Sequence, residues 1–128
     1  MRPMAELLEQ SRTETVVIAR IEDVEALDEV DAIAATGGID GLFLGPADLT
    51  VAFGHGDQST PELEEAVARV GRAARDAGKA YMSFVPGPEH AAAWRAHGMT
   101  TFFLASEHSW MSTGASVAAE GIHRLGEA

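Results

Sequence analysis

Two short apolar runs, each emptying into an acidic residue and separated by one helix-length segment, limit the folding options of this chain more than any other feature. Thr15-Val16-Val17-Ile18-Ala19-Arg20-Ile21 ends on Glu22. Gly41-Leu42-Phe43-Leu44 breaks at Gly45-Pro46 and leads to Asp48. Runs of this kind suit strands buried on both faces. Strand, helix, strand in that order is a βαβ unit, so the two strands are expected to be parallel with a right-handed crossover. Their C-terminal ends then lie side by side, ~5 Å apart, where Glu22 and Asp48 can share one hard cation. Two other roles stand beside this one. Asp48 can cap a short helix through Leu49-Thr50-Val51-Ala52-Phe53, and the backbone N–H groups around it can hold an anion.

The rest of the chain repeats the alternation. Pro3 to Ser11 reads as a short helix with Leu7 and Leu8 as its apolar contact. Val24 to Ala35 reads as a single helix with Ala26, Leu27, Val30, Ile33 and Ala34 on one face, stopped by Gly37-Gly38. After a polar loop from Gly54 to Thr60, Thr60-Pro61 starts a helix whose buried stripe is Leu63, Ala66, Val67, Val70 and Ala74, closed by Gly78. Ala80 to Val85 is the third strand, Pro86-Gly87-Pro88 its loop, and Glu89 to His97 a helix. Thr101 to Leu104 is the fourth strand, Ala105 to Trp110 its loop, and the last helix runs from about Met111 to Leu125. Alternating strands and helices predict a parallel α/β sheet. Either an open doubly wound sheet or half of an eight-unit barrel satisfies the pattern. No Gly-x-Gly-x-x-Gly turn follows a strand, which argues against a dinucleotide-binding fold.

The totals exclude several function classes. At 128 residues the chain reads as one domain, with 46% hydrophobic and 23% charged residues. A net charge of −11 argues against nucleic acid and anionic membrane surfaces as partners. There is no cysteine, hence no disulfide and no thiol catalysis. No apolar run approaches the ~20 residues of a membrane helix. The first residues lack the apolar core of a signal peptide, so a cytoplasmic protein is expected.

Arg20-Ile21-Glu22, followed by Ile39-Asp40-Gly41-Leu42-Phe43-Leu44-Gly45-Pro46-Ala47-Asp48-Leu49, resembles the HpcH/HpaI family of metal-dependent pyruvate aldolases, grouped with citrate lyase β-type proteins. The resemblance runs from about Glu14 to the C-terminus and covers the second half of that family's barrel. It implies the C-terminal half of a TIM (β/α)8 barrel, four parallel βα units in one partial domain spanning residues 1–128. It implies Glu22 and Asp48 as ligands of a divalent cation, Mg²⁺, Mn²⁺ or Co²⁺. It matches the backbone at Ala47 and Asp48 to the segment whose N–H groups bind the carboxylate of pyruvate, with Gly45 and Pro46 shaping that loop, and Phe84 to an apolar residue on the aldehyde side of the pocket. The implied reaction is reversible aldol cleavage of a 4-hydroxy-2-oxo acid to pyruvate and an aldehyde. A citrate-lyase-like acyl-CoA lyase, or a remnant that binds metal and oxo acid without turnover, are the rivals.

Departures from the family pattern matter as much. The family's catalytic His and its enolate-stabilising Arg belong to the half of the barrel that the resemblance does not cover, so no catalytic residue is assigned here. Asp23 stands where the family has Thr or Ser, and Glu107 where its last strand ends in Asp. His55 reads as a solvated loop residue, and His90 and His97 as surface or packing residues beside Trp94. Glu107-His108-Ser109 mimics a triad in sequence only, because adjacent side chains do not aim at one another. A half-barrel also leaves unpaired strand edges and bare apolar side chains, so pairing with a second copy or with a chain carrying the other half is expected.

Overall fold

A computed structural model describes residues 2–126. A helix α1 (Met4–Glu14) leads into β1 (Ile18–Ile21), α2 (Val24–Asp28), α3 (Val30–Ala35), β2 (Gly41–Leu44) and α4 (Pro46–Ala52). There follow α5 (Pro61–Asp76), β3 (Ala80–Val85), α6 (Pro88–Arg95), β4 (Thr101–Leu104) and α7 (Glu107–Leu125). The strands form one parallel sheet in the order β1-β2-β3-β4. A doubly wound sheet reverses its strand order at a switch point. This one steps in one direction throughout, and right-handed crossovers then place the helices on a single face. The observed order is that of a barrel arc.

The burial pattern follows from that one-sidedness. Ile21, Leu42, Leu44, Tyr81 and Val85 point to the helix layer and join Leu63, Val67, Val70 and Trp94 in the core. The residues that alternate with them point the other way. Ile18, Phe84 and Phe103 there are 40%, 38% and 50% exposed. Burial on both faces therefore holds for β2 and fails for β1 and β4, whose second face meets no helix.

Several elements differ from the sequence expectation for local reasons. β1 begins at Ile18 and not at Thr15, because the Asp40 carboxylate accepts the Val17 N–H at 2.8 Å in place of a ladder partner. The expected helix over residues 24–35 is broken at Glu29. The Asp28 carbonyl, which a continuous helix would use, accepts from Arg69 Nη2 at 3.0 Å, and the Asp28 carboxylate takes Arg69 Nη1 at 3.1 Å. α7 starts at Glu107 and not at Met111, because Ser106 caps it, accepting the Ser109 N–H at 3.3 Å. α1 extends to Glu14 and has no buried residue, with Leu7 and Leu8 left 42% and 53% exposed. α6 begins one residue early, at Pro88, and ends at Arg95. The Thr60 cap and the α5 stripe are as expected, with Thr60 Oγ1 accepting from the Leu63 N–H.

Tyr81 ties the sheet to α5. Its hydroxyl donates to the Val67 carbonyl at 2.9 Å, and burial pushes its pKa far above the usual value of 10.0. A group whose folded pKa is raised stabilises the fold below its unfolded pKa and loses that contribution above it. Stability is expected to fall above pH 10 by up to about 1.4 kcal/mol per pH unit. Tyr81 is the only tyrosine, so tyrosinate absorbance reads this group alone. The absorbance is expected to appear together with unfolding. A tyrosinate signal in the folded chain near pH 10 would show the hydroxyl to be accessible.

Candidate active site

The C-terminal ends of β1 and β2 place three charged side chains around one glycine. Arg20 lies on the open face of β1, in register with Phe43 of β2. Glu22 follows the end of β1. Asp48 comes from the first turn of α4, which starts directly after β2. That short helix is held by Pro46 at its first position, by the buried Leu49, and by Thr50 Oγ1 donating to the Pro46 carbonyl at 2.7 Å. Gly45, not Asp48, is its N-cap, so the capping role considered for Asp48 is not the one observed. Asp48 sits instead in the first turn, where the helix dipole favours a carboxylate.

Glu22 and Asp48 converge on the same guanidinium. Arg20 Nε lies 2.6 Å from Glu22 Oε2, and Arg20 Nη2 lies 2.6 Å from Asp48 Oδ2. The three side chains are roughly half exposed, at 44–56%. The trio closes over Gly45. A Cβ built there would lie 3.1 Å from Glu22 Cβ, 3.2 Å from Asp48 Oδ2 and 3.5 Å from Arg20 Nε. Asp23 takes no part, since its carboxylate caps α2 by accepting the Ala26 N–H at 2.6 Å.

A cleft of about 660 Å³ opens beside the trio, lined by Gly45, Pro46, Ala47, Asp48, Phe84, Arg20 and their neighbours Phe43 and Phe103. Phe43 and Phe103 meet edge to face with centroids 5.3 Å apart, and the Arg20 guanidinium carbon stands 5.9 Å from the Phe43 centroid. The Gly45–Asp48 segment and Phe84, all expected from sequence on the substrate side, thus share one cleft. Arg20, Phe43 and Phe103 have no site role in the reading from sequence and enter the site through the fold. The signal for Arg20 was its period-two spacing from Glu22.

The other candidates lie elsewhere. Among the described residues, no histidine lines this cleft. His55 is paired with Glu62 at 3.5 Å. His90 and Trp94 line a separate hollow at the start of α5. Glu107, His108 and Ser109 occupy the first turn of α7, with His108 and Glu107 3.4 Å apart on its exposed surface.

A profile of the HpcH/HpaI aldolase/citrate lyase family matches residues 2–112. The chain belongs to that family. The match begins upstream of Glu14, where the resemblance read from the motifs starts. The 5-keto-4-deoxy-D-glucarate aldolase of Shigella dysenteriae serotype 1 (strain Sd197) is 35% identical over 105 residues, 81% of this chain and 41% of the relative. The crystal structure of a family protein from Burkholderia cenocepacia J2315 superposes with a TM-score of 0.86 at 34% identity, covering 92% of this chain and 46% of that one. An HpcH/HpaI aldolase from Desulfitobacterium hafniense DCB-2 gives 0.82 at 25% identity, covering 95% and 48%. The fold is that of the family's TIM-barrel proteins, and this chain spans a little under half the length of these relatives.

Both carboxylates offer hard oxygen donors, and both already reach one cation, the Arg20 guanidinium. This donor set fits a divalent ion of the Mg²⁺ or Mn²⁺ type. Among the described residues no group of three or more Asp, Glu, His or Cys is placed to hold a metal ion, so a pair of protein ligands would leave the other positions open. Also among the described residues, no helix is long and apolar enough to cross a membrane.

Proposed function

We propose that this chain carries the metal- and oxo-acid-binding half of a carbon–carbon lyase that cleaves a 4-hydroxy-2-oxo acid to pyruvate and an aldehyde. The observation that carries the reading is the convergence of Glu22 and Asp48 on one cation at adjacent strand ends, beside the Gly45–Asp48 turn. Glu22 and Asp48 would hold the divalent cation, which when bound supplies a Lewis acid for an enolate. The N–H groups of Ala47 and Asp48 open α4 and have no intrahelical acceptor. They are suited to hold the substrate carboxylate. Pro46 has no N–H to compete, and Gly45 gives the turn room. Phe84 and Phe103 offer an apolar wall for the departing aldehyde.

Binding, not turnover, is the readout that tests this half alone, because the family resemblance assigns the proton-transfer His and the Arg to the other half. Calorimetric titration of pyruvate is expected to show binding with Mn²⁺ or Co²⁺ present and none with chelator. Equal pyruvate binding in chelator would remove the metal from the account. Binding of an acyl-CoA and not of pyruvate would favour the citrate-lyase-like reading.

The open sheet face bears on assembly. Ile18, Phe84 and Phe103 are the kind of side chains that fill a barrel interior, and β1 and β4 present free edges. We take this face to be covered by four further strand–helix units, from a second copy or from a chain carrying the other half. Light scattering across a dilution series is expected to show these 128 residues associating. A cooperatively melting monomer at every concentration would contradict the half-barrel assembly.

A further inference from the structure

We propose that Arg20 is the site's own counter-cation, which holds Glu22 and Asp48 together in the metal-free state and must leave before a divalent ion binds. The proposal rests on the reading of Glu22 and Asp48 as the metal pair. It adds a competitor within the chain that sets the affinity of that pair.

The geometry points to competition and not to mere proximity. Arg20 spans the two carboxylates with different nitrogens, Nε to Glu22 and Nη2 to Asp48, both at 2.6 Å. These charge-assisted bonds use the same carboxylate groups that a metal ion would take. Formal charges of −2 and +1 leave the trio at −1, enough to attract a divalent ion but less than the bare pair offers. Arg20 also has somewhere to go. Its side chain is 56% exposed, and the Phe43 ring beneath it remains a surface for the guanidinium once the carboxylates let go. No protein group would need to unfold for the exchange.

Two states follow, with Arg20 on the carboxylates or off them, and the metal binds only the second. Apparent affinity falls by the fraction of chains in that competent state. An about ten-to-one preference for the bound arginine weakens Mn²⁺ binding about tenfold.

The test is Mn²⁺ titration of the 128-residue chain, followed by calorimetry and by the electron paramagnetic resonance signal of free Mn²⁺. Arg20→Gln and Arg20→Ala are expected to bind Mn²⁺ about tenfold tighter than the unaltered chain. Arg20→Lys, which keeps the charge and loses the fork, is expected between them. Circular dichroism confirms the fold of each variant, and Arg20→Lys still decides the matter if the truncations do not fold. Equal or weaker Mn²⁺ binding in the folded Arg20 variants would overturn the proposal. The parallel Asp48→Ala arm separates the two failures. If Asp48→Ala loses Mn²⁺ while the Arg20 variants do not gain it, the metal pair stands and the counter-cation falls. If Asp48→Ala binds Mn²⁺ as the unaltered chain does, the metal pair falls and the proposal with it.

Discussion

Replacing Gly71 with alanine is expected to destabilise the chain by about 1–3 kcal/mol, although the change puts the best helix former into the middle of a 16-residue helix. In an open helix the swap would gain up to about 1 kcal/mol. Here α5 crosses the turn after α6 at the one place where a side chain has no room. A Cβ on Gly71 would lie 2.1 Å from the His97 carbonyl oxygen and 3.2 Å from Tyr81 Cε1. The obstacle is backbone, so no rotamer change relieves it. That backbone is pinned, with the His97 N–H on the Trp94 carbonyl at 3.0 Å and the Gly98 N–H on the Arg95 carbonyl at 3.1 Å. Gly98 itself has φ +89, a conformation that other residues rarely hold. Moving the turn away would loosen Trp94, Met99 and Tyr81, all buried. For a chain of this size the cost corresponds to a fall of about 3–6 °C in Tm per kcal/mol. Gly114→Ala, inside α7 with open space around it, serves as the control. A thermal melt of Gly71→Ala at or above the Tm of the unaltered chain would show that this contact is not tight.

The parts of this fold that could be read from the sequence are those that local chemistry decides. The strands Gly41–Leu44, Ala80–Val85 and Thr101–Leu104 have the expected bounds; Gly45 follows the first, and Lys79 and Pro86 bracket the second. The Thr60-Pro61 start of α5 is likewise a local signal. Where a partner from elsewhere in the chain intervenes, sequence alone is insufficient. Arg69 lies 41 residues from Asp28, and its bond to that carbonyl splits the expected helix in two. Asp40 shortens β1 from 23 residues away. Sheet order was open too, since periodicity states that strands alternate with helices and not in which direction they are laid down. The order β1-β2-β3-β4 supplies that, and with it the bare face.

The candidate site divides in the same way. Glu22 and Asp48 were visible because each follows a strand end, and two parallel strands bring their C-terminal ends together. The Gly45–Asp48 turn was visible from Gly-Pro. Arg20 lies within the same motif, and its period-two spacing from Glu22 puts the two on one face, but nothing local to it points to Asp48, 28 residues away. Phe43 and Phe103 come together only when β3 is laid between β2 and β4.

The strongest effect on binding is expected from the paired replacement Glu22→Ala and Asp48→Ala. Among the described residues, the two side chains supply the carboxylate oxygens that pair with Arg20. Each is about half exposed, so their removal leaves the buried core of Leu42, Leu44, Val67 and Val70 untouched. Loss of a cation site with retention of the fold is therefore the signature of ligands. The net charge of −11 attracts divalent ions loosely over the whole surface. The titration is run at about 0.15 M salt, where that attraction is screened beyond ~8 Å. Calorimetric titration with Mn²⁺, paired with far-ultraviolet circular dichroism, is the most direct measurement. The account predicts saturable binding by the unaltered chain and none by the double variant, with helix content unchanged. Undiminished Mn²⁺ affinity in the folded double variant would contradict it.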